Sequence, residues 1–149
     1  MIDKKDLAQI YINALEHMGL LGETDDDGDV VFKYPNLGGF YISLDAEKDP
    51  EFLRLVFPRF TDQRLTGGDE QKLMFVVNQV NMKNKVVKFY LRPDDDGTLN
   101  VSASADCIVA GPNMAPDPEL LKSIMPRVIS TIKAGVENLV RTGAEGQGA

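Results

Sequence analysis

The stretch from Asp69 to Val109 leaves little freedom in how this chain can fold, because its apolar residues switch abruptly from one repeat to another. Leu73, Val76, Val77 and Val80 recur at steps of three and four, which places them on one side of a helix that Asp69 can cap. From Val87 the step becomes two. Val87, Phe89 and Leu91 alternate with Lys88, Tyr90 and Arg92; beyond Asp94-Asp95-Asp96-Gly97, Leu99, Val101, Ala103, Ala105, Cys107 and Val109 alternate with Asn100, Ser102, Ser104 and Asp106. Two alternating runs joined by an Asp-Gly turn predict an antiparallel hairpin with one buried face. Valines lower helix propensity, so the helix before the hairpin needs tertiary support and is expected to be the most enclosed.

The rest of the chain fits around that unit. Leu7, Ile10, Tyr11, Ala14, Leu15 and Met18 trace a first helix, with Asp3 at its start and Gly19 at its end. Val30 to Tyr34 is a short strand closed by Pro35. Phe40, Ile42 and Leu44 alternate with Tyr41 and Ser43, and Phe52 to Phe57 forms a third strand that Pro58 is expected to stop. Arg59 to Gly68 reads as a polar connection. Asp117 and Pro118 open a last helix whose buried side runs through Leu121, Ile124, Met125, Val128, Ile132, Val136 and Leu139, with Pro126 expected to kink or divide it. The order is helix, three strands, helix, two strands, helix. It predicts an α+β fold: a five-stranded antiparallel sheet with helices over a face, forming one domain over residues 1–141 and followed by a disordered tail over 142–149.

Composition limits the function classes. Asp and Glu outnumber Lys and Arg by 23 to 16, a formal charge of −7 that repels a phosphate backbone, so nucleic acid is not an expected partner. A single cysteine permits no internal disulfide and fits a reducing compartment. No apolar run approaches the ~20 residues needed to cross a bilayer, and the N-terminal segment is amphipathic, unlike a secretory leader. The expected location is the cytoplasm, away from membranes.

The acidic runs Asp25-Asp26-Asp27 and Asp94-Asp95-Asp96 invite a calcium reading. Aligning Gly28 or Gly97 with the glycine of a calcium loop puts Tyr34 or Ala103 where a bidentate Glu belongs, so both are read as solvated turns. His17 is the sole histidine, and Cys107 lies on the apolar side of its strand, where a thiol behaves as a small hydrophobe. No glycine-rich phosphate loop occurs. Neither a metal, a cofactor nor a catalytic residue is predicted.

The order of elements, the segment Val77-Asn78-Gln79-Val80-Asn81, and Val87-Lys88-Phe89-Tyr90-Leu91 before an acidic Asp-Gly turn resemble the YbjN family, bacterial proteins described as sensory transduction regulators. The resemblance spans Leu7 to Val140. It implies a bacterial source and a fold similar to the small dimeric chaperones of type III secretion, which hold an effector segment in extended form. It carries no reaction and no catalytic residues. Pro126 and the alanine- and glycine-bearing tail depart from the family's pattern.

What remains is a set of candidate contacts. Asn78 and Asn81 sit near a helix end, where their amides can satisfy unpaired backbone, fasten the following strand, or meet a partner's main chain. Phe52 and Val56 oppose Leu53, Leu55 and Phe57, and Tyr41 opposes Phe40 and Ile42, so apolar side chains stand on both sides of the sheet. The expected function is a non-enzymatic protein-binding module, chaperone-like or regulatory and homodimeric. It would capture a protein or peptide partner at a sheet edge or in an apolar groove beside the first helix, with Tyr11, Tyr41, Phe52 and Val56 as contacts. The alternative is a small-molecule sensor or an enzyme with a pocket between sheet and helices.

Overall fold

Side-chain alternation in the two longest strands divides the molecule into layers. Phe52–Asp62 and Leu99–Ile108 pair antiparallel in register Leu53 with Cys107, Leu55 with Ala105 and Phe57 with Ala103. Leu53, Leu55, Ala103 and Ala105 are fully buried on one side of the pair. Phe52, Arg54, Ser102, Ser104 and Asp106 take the other side, as a two-residue period requires.

The computed structural model describes residues 1–145. The elements are α1 (Lys4–His17), β1 (Glu23–Thr24), β2 (Val30–Tyr34), β3 (Gly38–Ile42), β4 (Phe52–Asp62), α2 (Glu70–Lys83), β5 (Val87–Pro93), β6 (Leu99–Ile108) and α3 (Pro118–Ala144), with a 3-10 turn at Gln63–Thr66. The strands form one antiparallel sheet in the order β1-β2-β3-β4-β6-β5. All three helices lie over the same face. The fold is α+β, with six strands where five were expected, because β1 is two residues long and too short to leave a period in the sequence.

Each helix begins as its sequence requires. Asp3, Asp69 and Asp117 accept hydrogen bonds from the backbone N–H groups of Asp6, Lys72 and Leu120 at 2.8, 3.0 and 2.9 Å. Beneath the helices an aromatic ladder crosses the sheet. The rings of Phe32, Phe40, Phe57 and Phe60 stack in succession with centroids 5.3, 4.5 and 5.0 Å apart, and Phe60 meets Phe89 edge-on at 6.0 Å. The stack ties β2 to β5 across the full inner face.

Four expectations are corrected. Pro58 does not stop its strand: between Phe57 and Thr61 the register shifts through a bulge, Pro58 stands exposed, and Arg59 takes a left-handed φ of 47° while its N–H donates to Ser102 Oγ at 2.9 Å. A bulge absorbs the missing donor of proline, and β4 resumes to Asp62. Pro126 does not divide the last helix, since it lies exposed inside the continuous α3. The helix α2 buries only Leu73, Val76, Val77 and Val80, and leaves Met74, Phe75 and Met82 exposed. Thr142 to Ala144 belong to α3, whereas residues 146–149 of the expected tail lie outside the described residues.

Gly143 shows why α3 extends so far. It is buried, and a Cβ there would stand 2.6 Å from Leu65 Cγ, so only glycine lets the helix close on the 3-10 turn. A glycine-to-alanine change inside a helix ordinarily stabilises by about 1 kcal/mol. Gly143→Ala is expected to do the reverse and lower the denaturation midpoint, by about 1–3 kcal/mol of overpacking. A raised or unchanged midpoint would show that this end of the helix does not dock.

Candidate functional site

The face of the sheet opposite the helices has no covering layer among the described residues. Its centre is built from matched positions on four strands: Tyr41 pairs with Val56, Val56 with Ser104, and Ser104 with Lys88. Two residues to either side of Ser104 on β6, Arg54 stands across from Asp106 in one direction and Tyr90 across from Ser102 in the other. Tyr41, Ser43, Arg54, Val56, Lys88, Tyr90, Arg92 and Ser104 enclose a cleft of about 510 Å³.

Asp106 organises the charge on this face. Its Oδ1 accepts from Arg54 Nε at 2.9 Å and Ser104 Oγ at 3.0 Å, and its Oδ2 lies 3.0 Å from Lys88 Nζ. Partial burial pushes the Asp106 carboxyl up, but the hydrogen bonds from Arg54, Lys88 and Ser104 outweigh it and hold the group below the usual carboxylate range. Tyr41 moves up from its ordinary value, through burial and then its neighbour Tyr90, against the pull of Arg54 and Arg92. The Tyr41 phenol therefore stays a neutral hydrogen-bond donor near neutral pH.

Apolar surface flanks the cleft on either side. At one end Phe52 and Ile108 are cross-strand partners, 44% and 68% exposed. At the other, Leu21, Val31, Tyr41 and Pro58 line a groove of about 520 Å³ whose floor is open because Gly39 has no side chain. Both lie on the bare face.

The candidate contacts separate on this frame. Tyr41 and Phe52 stand on the bare face with side chains accessible, and Val56 lies between Tyr41 and Ser104 as the almost fully buried floor of the cleft. Tyr11 does not join them. It is wholly buried among Leu7, Ala14 and Leu15 on the sheet-facing side of α1, with its hydroxyl lacking a hydrogen-bond partner, so it cannot touch a partner at the surface. A tyrosine on an apolar helical stripe gives no sign of whether its ring ends in the core or at the rim.

Asn81 uses both ends of its amide on one residue. Its Nδ2 donates to the Phe89 carbonyl at 3.0 Å and its Oδ1 accepts from the Phe89 N–H at 2.8 Å. Those backbone groups point away from β6, so Asn81 fills the outer edge of the sheet. The rest of that edge is blunted too: the Val87 N–H donates to the Lys85 carbonyl at 2.7 Å around Val86, at φ 71°, and Pro93 has no N–H. Strand addition along β5 is thereby restricted at Val87, Phe89 and Pro93. Asn78 is exposed and its amide reaches only Met82 Sδ at 3.7 Å.

Other candidate chemistries do not assemble. Asp25 and Asp94 spend a carboxylate oxygen on nearby backbone N–H groups of their own turns. His17 is exposed in the last turn of α1, while burial and then Asp106 push the Cys107 thiol up and away from thiolate chemistry. Among the described residues no group of three or more His, Cys, Asp or Glu could hold a metal ion, and no helix is long and apolar enough to cross a membrane. The cluster of Arg54, Lys88 and Asp106 was not singled out from the sequence. Its members stand on three strands, and only the outward parity of each position hinted at a shared face.

The profile of the YbjN family, described as "Putative bacterial sensory transduction regulator", matches residues 12–133. The chain belongs to the YbjN family. Among solved structures it is similar to YbjN from E. coli, described as "a putative transcription regulator", at a TM-score of 0.60 and 12% identity, over 93% of this chain and 91% of that one. It is also similar to an uncharacterized protein from Methanothermobacter thermautotrophicus, at a TM-score of 0.51 and 14% identity, over 89% of this chain and 96% of the other. At such identities the likeness concerns the fold alone. No curated protein matches the sequence.

The Asn81 bridge makes a direct prediction. Asn81→Ala leaves a half-buried donor and acceptor of Phe89 unpaired, which costs about 1–3 kcal/mol and should appear as a lower denaturant midpoint with faster amide exchange at Phe89. Unchanged exchange at Phe89 would mean that the amide does not hold the edge.

Proposed function

We propose that this YbjN-family chain is a non-enzymatic regulatory domain that captures a protein partner on the bare face of its sheet. The observation that carries the reading is that face itself: exposed Phe52 and Ile108 at one end, an open apolar groove around Leu21 and Gly39 at the other, and a polar cleft between them. Exposed apolar patches beside a charged cleft offer both area to bury and directional contacts, the two things that recognition of a partner uses. The face is favoured over the β5 edge because Asn81 occupies the Phe89 backbone and Pro93 has no N–H to offer there. On the helical side, Leu7, Tyr11, Leu53, Leu55, Ile129 and Ile132 fill the space where a pocket between sheet and helices would lie, which weighs against a small-molecule sensor or an enzyme there.

A second apolar surface supports a homodimer. Met74, Phe75 and Met82 are exposed on the outer side of α2, at spacings that place them on a continuous stripe beside Asn78. A twin subunit packed there would leave the bare sheet face free for the partner.

Photo-crosslinking inside the native cell tests both surfaces. A benzophenone side chain at Phe52 or Tyr41 is expected to give discrete adducts with another protein, one at Phe75 an adduct between two copies of the chain, and one at the exposed helical Ser130 neither. Equal labelling at Ser130, or none at Phe52 and Tyr41, would remove the capture reading. Absence of the chain-to-chain adduct would remove the dimer.

A further inference from the structure

The charge lining the central cleft has one sign. Arg54, Lys88 and Arg92 stand around it with Tyr41, Tyr90, Ser43 and Ser104, and no carboxylate lines it. This occurs on a chain whose formal charge is −7. Carboxylates surround it: Asp45 and Asp49 line the adjoining cleft that shares Ser43 and Arg54, and Asp94 accepts from the amide of Asn100, the cross-strand partner of Arg92, at 3.2 Å. Two others are held by cations or backbone. Asp106 holds Arg54 and Lys88, and Asp29 lies 3.2 Å from Lys4 Nζ while accepting the N–H of Leu44. Arg92 has no carboxylate partner among the described ion pairs.

Asp106 does more than balance charge. By bonding Arg54 through Nε alone, it fixes the plane of the guanidinium and leaves both Nη groups for a second acceptor. By bonding Lys88 and Ser104 as well, it holds two cations across one strand from each other before any ligand arrives. Preorganised donors bind an anion without the cost of ordering long side chains on contact. Tyr41 and Tyr90 line the same cleft and add hydroxyls to it, and Val56 provides an apolar floor.

Resting on the bare-face reading above, we propose that the partner's bound segment is acidic: an extended stretch of Asp- or Glu-bearing peptide whose carboxylates sit over Arg54 and Arg92, with its apolar side chains reaching toward Phe52 and Ile108 or toward the Leu21 and Gly39 groove. Charge complementarity selects this occupant. An acidic peptide laid along the cleft meets Arg54, Lys88 and Arg92 in turn, each contact acting over a screening length of about 8–10 Å. A nucleic-acid strand would extend well beyond the cleft into the field of a net anion, and the cleft supplies too few cations to offset that.

The test uses fluorescence anisotropy with the full chain and a labelled peptide of about twelve alternating Glu and Thr residues, enough to cross the sheet at ~3.3 Å per residue. A peptide alternating Lys and Thr and a single-stranded oligonucleotide of equal length serve as comparisons. The acidic peptide is expected to bind and to weaken as salt rises, and the Lys peptide not to bind. Arg92→Gln, which breaks no ion pair, and Arg54→Gln should each weaken binding about tenfold, as loss of a charged hydrogen bond does, while Lys5→Gln on α1 leaves it unchanged. No binding of the acidic peptide, equal loss with Lys5→Gln, or an oligonucleotide that binds as tightly as the peptide would overturn the proposal. Crosslinks at Phe52 without acidic-peptide binding would refute the acid preference alone; absence of those crosslinks would remove the bare-face reading beneath it.

Discussion

The pairing register of β4 with β6 decides what lies on each side of the sheet. Because side chains alternate, one residue of slip would carry Leu53, Leu55 and Phe57 to the solvent side and bring Phe52, Arg54 and Asp106 under the helices. Burying Arg54 and Asp106 against α3 would cost several kcal/mol per ion even as a pair. The inner face therefore specifies the outer one: with Leu55 opposite Ala105 beneath the helices, Arg54 must stand opposite Asp106 above the sheet. The cleft and the core are two results of one alignment.

Helices on one side only give such a sheet two unlike surfaces. The inner surface is saturated by the phenylalanine stack and by α1 and α3, with large side chains such as Tyr11, Ile129 and Leu139 fully enclosed. The outer surface keeps both charge and exposed hydrophobes. At the β5 edge the preceding helix occupies the Phe89 backbone through Asn81, which limits random strand pairing there.

Most of the fold was legible because long periodic segments speak clearly. The valines of α2 and the alternation from Val87 to Val109 place the helix, the hairpin and the side each residue faces, and the aspartate caps mark all three helix starts. Tyr41, Phe52 and Val56 could be assigned to the outer face by parity alone. What escaped reading was tertiary in origin. Pro58 looks like a strand end until Ser102 accepts the following N–H and a bulge forms; Gly143 looks like tail composition until Leu65 is seen against it; Tyr11 fits a rim or a core equally well in one dimension. The Asp106 cluster joins residues separated in sequence by as many as 52 positions, so no local pattern could have announced it.

One face of the sheet is sealed under helices, and the other stands bare. Hydroxyl-radical footprinting of the purified chain, read residue by residue by mass spectrometry, tests this arrangement most directly. Tyr41, Phe52 and Ile108 should oxidise rapidly while Tyr11, Leu53 and Leu55 stay protected. Protection of Tyr41 and Phe52 to the level of Tyr11 would contradict it, for the face would then already be covered.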